Sequence, residues 1–474
     1  MKKIFLILSV ILVLLLSSCS VGPDFEKPEV DTLQSYRFDT LKVDSVANIE
    51  WWELFSDSLL DTLVITALEQ NKDLNIAIAR IEEARAGLTF TGADRYPKLD
   101  VSAGASRGNF ALGMKLPSTT TNFSISPVLS WEIDFWGKYR RATEAAKANL
   151  LASEYSLRTV QLGLISEVIS TYFRLLDYKQ RLKIAKATLR TREESLNIIQ
   201  QRYDKGIIPE LDLNQAQIQR ETAASAVPIF ERAVAKTENA LSVLLGKNPG
   251  EILPENVSVN LDEIPPEIPV GIPSDILQRR PDILKAENLL HAQNARVGVA
   301  AAQQYPSISL TGVLGIASDD LSTLINNGFG WSAGTSLLAP LFNFNKNSAR
   351  VEVEAAKTRQ LLFNYEKTVL NAFREVEDAL VEVDTYKREL EAKKRQVNAA
   401  QNAESLSRMR YNQGAASYLE VLDAERTLFN SELELSELKQ SYLSAYIKLY
   451  KALGGGWISR KEKENFFNKT DVKE

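Results

Sequence analysis

Two short stretches of this chain repeat each other at a fixed distance. Arg202-Tyr203-Asp204-Lys205-Gly206 is matched by Arg410-Tyr411-Asn412-Gln413-Gly414, with both the tyrosines and the glycines 208 residues apart. Other landmarks keep the interval: Leu245-Gly246 recurs as Leu453-Gly454, and Tyr96-Pro97 recurs 209 residues later as Tyr305-Pro306. The fold must therefore contain each of its elements twice. Gly206 and Gly414 each lie between two long helical patterns, where a left-handed residue can end a helix. Each half thus carries one helix–turn–helix tip.

The helical patterns are long. Residues 138–203 hold no proline, and Leu164, Val168, Thr171, Leu175, Tyr178, Leu182, Ala185 and Leu189 step by four and three. Leu362, Tyr365, Val369, Ala372, Val376, Ala379, Val383, Tyr386 and Leu390 do the same in the second half. Such heptad seams ask for left-handed coiled coils. A helix of this length reaches roughly 100 Å, more than a compact domain needs. Return helices follow over 211–245 and 419–453; Pro228 is expected to kink or break the first. Shorter helices are expected over about 57–91, capped by Asp57 or Ser58, and over 274–304. Six prolines between Lys247 and Pro273 bar a continuous helix there, and Val257–Leu261 fits a short strand.

Between these helices the period changes to two. Ser124, Ser126, Ser130, Glu132 and Asp134 alternate with Ile125, Pro127, Leu129, Trp131 and Ile133. A weaker strand runs from Leu99 to about Phe110, with 113–121 expected as a surface loop. The second half has a strand at Ile308–Ile316 and another near 331–342, joined by a loop at about 319–327. One face of each is apolar, as in a barrel wall with lipid outside and water inside; a soluble sheet gives the same alternation. Pro127 fits a bend or an edge. Trp131 and Trp136 fit a membrane interface or a packed site within the protein.

The beginning of the chain sets the compartment. Lys2 and Lys3 precede an apolar run from Ile4 to Leu16, then Ser17, Ser18 and Cys19, which is the plan of an export signal. Leu16-Ser-Ser-Cys19 resembles a bacterial lipobox, which implies a signal peptide over 1–18 and covalent lipid on Cys19. By the same resemblance Ser20 permits sorting to the outer membrane. Cys19 is the sole cysteine and His291 the sole histidine, so thiol- or imidazole-based catalysis and metal binding have few means. His291 reads as a surface or packing residue. The net charge of −5 gives no footprint for nucleic acid. No glycine-rich phosphate loop is present, so no cofactor is expected beyond the lipid.

Two strands per half make four per chain, too few to close a barrel, and an open sheet in lipid leaves unpaired edges. Membrane strands here require assembly with copies of the chain, as a dimer, trimer or tetramer. Several motifs, in order, narrow this. Val21-Gly-Pro-Asp-Phe25, Trp51-Trp52, Gly271-Ile-Pro-Ser-Asp-Ile-Leu-Gln-Arg-Arg-Pro-Asp282, Tyr418-Leu-Glu-Val-Leu-Asp-Ala424 and Tyr450-Lys-Ala-Leu-Gly-Gly-Gly-Trp457 resemble lipidated outer-membrane factors of the TolC/OprM type. The resemblance implies a mainly α fold with a transmembrane β-barrel: a homotrimer with a 12-stranded barrel continued by an α-helical periplasmic tunnel. The layout becomes a lipidated arm (19–56), a first repeat (57–246), a linker (247–273), a second repeat (274–457) and a charged tail (458–474). Partners implied are a periplasmic adaptor, an inner-membrane efflux transporter and outer-membrane lipid.

The resemblance also assigns roles at the tips. Tyr411, Leu419, Asp423 and Arg426 match constriction residues of the periplasmic gate, and Glu420 matches a gate acid of some members. Gly206 and Gly414 mark the tips where an adaptor would dock. On spacing alone, Glu420, Asp423 and Arg426 share one helical face that is equally an ordinary solvated one. Tyr411 is expected to hydrogen-bond across the tip, and Arg426 to tie one helix to a neighbour. One departure is Leu341-Phe-Asn-Phe-Asn-Lys346, which lacks the glycine pair common where the second barrel strand meets its helix. The reading is a passive duct for small molecules. Its rivals are a type I protein secretion duct, a pore-less coiled-coil envelope lipoprotein, and an enzyme using Glu420 and Asp423 as an acid–base pair.

Overall fold

The computed structural model describes residues 20–31, 35–36, 55–111, 114–253, 274, 276–326 and 328–455. The signal peptide, Cys19, Trp51, Trp52, the strand expected at Val257–Leu261, Trp457 and the charged tail lie outside the described residues. The chain forms two compact units. The first takes residues up to Val30, Ala79–Glu154 and Lys285–Lys367; the second takes Asp31–Ile78, Tyr155–Leu284 and the chain from Thr368 on.

The first unit holds an antiparallel sheet of β1 (Lys98–Ala111), β2 (Met114–Ile133), β3 (Ser307–Ser318) and β4 (Gly330–Leu338), paired in that order. Directly paired residues share a face. Leu99↔Leu129↔Gly312↔Ala333 and Val101↔Pro127 fall on one side, with Trp331 opposite Leu314 and Leu337 opposite Ile308. Leu99, Val101, Leu129, Leu314, Trp331 and Leu337 are all exposed there. The other side carries Asp100↔Val128, Ser102↔Ser126, Glu132↔Ser309↔Ser336 and Ser130↔Thr311↔Gly334. The sheet therefore has an apolar face and a polar, small-residue face. Among the described residues, β1 and β4 are each paired on one side only.

β2 corrects one expectation. Thr120 and Thr121 pair with Gly108 and Arg107, so much of the expected 113–121 loop is strand, as suits a threonine run. Pro127 lies in this central strand, and the ladder to β3 skips Ser126 and Pro127 between Ile125↔Ile316 and Val128↔Val313. Proline has no N–H to give there. Opposite the gap stands Gly315, whose Cβ would lie 2.5 Å from that of Ser126. β4 ends at Leu338, short of the expected Phe342, because Pro340 follows.

Each strand–helix junction uses a left-handed residue. Gly137 (φ +79°) leads into α3 (Lys138–Asp204); Asn345 (φ +62°), 208 residues on, leads into α7 (Lys346–Asn412). Asn345, with Phe344 also left-handed at φ +49°, takes the place of the absent glycines. The segment after Ser20 docks on this unit. Val21 N–H donates to Trp136 O (3.1 Å), Asp24 pairs with Arg141 (2.6 Å), and Phe25 stacks on His291 at 4.5 Å. His291 Nε2 lies 3.0 Å from Glu144 Oε1, so the lone histidine is a packing residue. Trp136 donates its indole N–H to Pro306 O and stacks on Tyr305; Trp131 donates to Arg95 O.

In the second unit, the helix expected over 57–91 breaks at Asn71 into α1 (Ser58–Gln70) and α2 (Lys72–Ala93), whose later part belongs to the first unit. Asn71 adopts an extended conformation, caps Leu74 N–H with Oδ1 and donates Nδ2 to Leu244 O (2.9 Å). Asp57 caps α1 and accepts the Tyr172 hydroxyl proton at 2.5 Å. α4 (Glu210–Leu244) runs unbroken through Pro228. Pro228 lies on the exposed side, where the carbonyl it strands can turn to water. The helix expected over 274–304 divides at Arg280 into α5 (Ile276–Arg279) and α6 (Pro281–Ala302), since a residue before proline avoids helical angles. α8 (Tyr418–Ala452) completes the set. Val168, Leu175 and Ala185 of the first seam, and Val369, Ala372 and Val376 of the second, are buried as the heptads require.

Candidate functional site

Both tips are built alike. Gly206 (φ +69°) donates its N–H to Tyr203 O and Ile207 donates to Arg202 O; Gly414 (φ +75°) donates to Tyr411 O and Ala415 to Arg410 O. This pairing of a bond three residues back with one five back satisfies the last carbonyls of α3 and α7. A Cβ at either glycine would meet nothing within 4 Å, so only the backbone angle demands glycine.

The two tips share one small core. Ile199 from α3, Leu213 and Ala216 from α4, and Tyr418, Val421 and Leu422 from α8 bury one another, with Tyr411 packed against them. The Tyr411 ring lies 5.2 Å from that of Tyr418, and the Arg202 guanidinium sits over the Tyr411 ring at 5.2 Å. The Tyr411 hydroxyl is buried and has no hydrogen-bond partner among the described residues, so within one chain the expected bond across the tip is not made. An unpaired buried hydroxyl costs about 1–3 kcal/mol.

The other residues expected at a gate face outward. Leu419, Glu420, Asp423 and Arg426 are exposed, on the side of α8 opposite the buried Val421, Leu422 and Glu425. Arg426 pairs with Asp423 one turn back at 2.6 Å, and Arg410 reaches Glu420 at 3.6 Å across the turn. Exposed pairs of this kind contribute about 0–1 kcal/mol each. Within one chain Arg426 is thus held by its own helix.

Behind this face lies a charged set the sequence did not single out. Glu425 is buried, and Arg408 donates to its carboxylate at 2.9 Å. Burial pushes the Glu425 carboxyl above the ordinary carboxylate range, against the pull of Arg408 and Arg192. Arg192 is buried too, donating to Gln219 O (2.7 Å) with its guanidinium 5.1 Å from the Phe429 ring. Burial lowers its pKa. Mid-helix charges look solvated in a sequence; the only hint was Phe429 and Glu425 on the same stripe as Val421 and Leu422.

The family model described as "Outer membrane efflux protein" matches residues 63–247 and 272–455. The chain belongs to the outer membrane efflux protein family. Each match contains one tip, so the family unit and the internal repeat coincide. The chain is 37% identical over 452 residues to the cation efflux system protein CusC of Escherichia coli O6:H1, covering 94% of this chain and 97% of that one. It is 35% identical over 460 residues to the probable outer membrane lipoprotein SilC of Salmonella typhimurium, covering 95% and 99%. The crystal structure of the Campylobacter jejuni CmeC outer membrane channel superposes with a TM-score of 0.87 at 30% identity, covering 95% of this chain and 98% of that one. This efflux protein is an outer-membrane channel component, not an enzyme, which sets aside the acid–base reading of Glu420 and Asp423.

Proposed function

We propose that this outer-membrane efflux protein is the passive exit duct of a tripartite pump. Three copies close a 12-stranded barrel, helices extend into the periplasm, and lipid on Cys19 anchors each copy. An inner-membrane transporter delivers the cargo through a periplasmic adaptor that docks at the tips around Gly206 and Gly414. The observation that carries this reading is the sheet: one apolar face, one polar face and two open edges. In lipid such edges are tolerated only when neighbouring copies pair with them. No described helix is long and apolar enough to cross a membrane.

Tyr411, Leu419, Glu420, Asp423 and Arg426 form the closed gate. Around a threefold axis the exposed Asp423 and Glu420 carboxylates meet their copies, while Tyr411 braces the tip core behind them. The test is planar-bilayer conductance of protein purified from outer membranes, with its oligomeric mass. A trimer with resolved channels supports the duct; a monomer without conductance overturns it and supports an envelope spacer. Relatives at 34–37% identity are named for cation, antibiotic and toluene efflux, so similarity alone does not choose the cargo.

A further inference from the structure

The first unit carries a groove that neither the gate nor the tips account for. It encloses about 940 Å³ and is lined by α2, α3, α6 and α7, the four helices that enter or leave the sheet. Its charged lining is Arg296, Arg350, Lys357 and Glu354, three cations against one carboxylate. Lys357 and Gln293 both hold the single acid, Glu354, the former at 2.8 Å. Arg296 donates to the neutral amide oxygen of Gln293 at 3.2 Å, and Arg350 to that of Gln303. All three cations are exposed.

The side of the sheet on which this groove lies follows from its neighbour. A smaller hollow of about 420 Å³ at the foot of the strands shares Gln303 and Arg350 with it. The sheet supplies that hollow with Glu132, Ser307 and Leu338, all on the polar side by register, and with Ile133 at the strand end. Its carboxylates are engaged elsewhere. Glu132 is held by Lys138 and the Tyr139 hydroxyl, both at 2.9 Å; Asp134 accepts the Tyr139 and Arg140 N–H groups. Neither pairs with Arg350. The groove thus continues the polar face, with an excess of two positive charges per chain.

We propose that Arg296, Arg350 and Lys357 form a cationic girdle inside the duct that favours anionic small molecules, such as organic carboxylates and sulfonates, over metal and organic cations. This rests on the duct reading, in which the polar face lines the channel. A single sign of charge within low-dielectric walls concentrates ions of the opposite sign. The girdle works against passage of cations, even though relatives are named for cation efflux.

The test is the reversal potential of wild-type channels in a potassium chloride gradient near 0.1 M, where the Debye length is about 10 Å. It is paired with release of carboxyfluorescein from liposomes holding the full-length protein. In the variant R296Q/R350Q/K357Q the chloride-to-potassium permeability ratio should fall roughly two- to five-fold, and carboxyfluorescein release should slow. Near 1 M salt, where screening acts within about 3 Å, the difference should vanish. Arg350→Lys, which keeps the charge, should keep the wild-type ratio and checks that the site tolerates change. An unchanged permeability ratio at low salt in the triple variant, with channels still open, overturns the girdle. Absence of any wild-type channel strikes instead at the duct.

Discussion

Replacing Gly246 by alanine should destabilise the protein far more than the same change at Gly206, although both glycines have φ +69°. The backbone angle costs an alanine about 1–2 kcal/mol at either site. The unfolded chain returns about 0.4–1 kcal/mol of this in both cases, through alanine's smaller conformational freedom. The surroundings make the difference. A Cβ at Gly206 meets nothing within 4 Å, whereas at Gly246 it lands 2.4 Å from Gln70 O and 2.9 Å from its carbon. Those are backbone atoms at the end of α1, so the chain itself must move. Forcing extra volume into packed structure costs about 1–3 kcal/mol. The movement also strains Asn71, whose Nδ2 donates to Leu244 O at 2.9 Å. The expected excess for Gly246→Ala is therefore about 1–3 kcal/mol. Native-state hydrogen exchange of the amides near Asn71 and Leu245 reads it directly. Since 1.4 kcal/mol is a factor of ten, protection there should fall roughly 5- to 150-fold, with little change in Gly206→Ala. Equal loss of protection in the two variants would refute the contact argument.

Other expectations follow from the same geometry. Asp57→Ala removes a helix cap and the acceptor of the buried Tyr172 hydroxyl, so it should cost about 2–4 kcal/mol in denaturant unfolding, while Tyr172→Phe should cost less. The Glu425 carboxyl is raised by burial, so it binds its proton more tightly in the folded state than in the unfolded chain. Its contribution is complete below the unfolded value of 4.5 and is lost as pH rises from there through the raised one, so Glu425→Gln should lessen the fall in stability between those two values. Melting curves of the two proteins across the acid-to-neutral range check this, and parallel curves would count against it. The double variant Asp423→Ala with Tyr411→Phe should raise single-channel conductance and antibiotic entry; unchanged values would remove these residues from the gate.

The features legible in the sequence were those with a period. Heptads showed the long helices, alternation placed the strands, and the 208-residue interval supplied the symmetry. Local chemistry decided what was missed. Asn71 ends one helix and starts another without glycine or proline: its backbone N–H closes α1 on Ala67 O, its Oδ1 caps Leu74 N–H in α2, and its Nδ2 ties the break to Leu244 O of α4. Pro228 does not break α4, since an exposed helix side tolerates the lost bond. At the tips the turn glycines were plain, but the set of Arg192, Arg408 and Glu425 was not, because Arg192 on α3 lies in the other half of the chain from Arg408 and Glu425. Arg296, Arg350 and Lys357 were equally hidden, since only the folded first unit gathers them.

The two halves match in count as well as in pattern. α3 and α7 each have 67 residues, and α4 and α8 each have 35. One added residue in α3 alone would advance its tip by about 1.5 Å and rotate it by about 100°. Ile199 and Leu213 would then swing away from Tyr418 and Val421, with which they are buried. Length in this architecture is consequently inherited as a matched quantity: an insertion in one arm survives only with a compensating insertion in its twin, or with whole turns added to both.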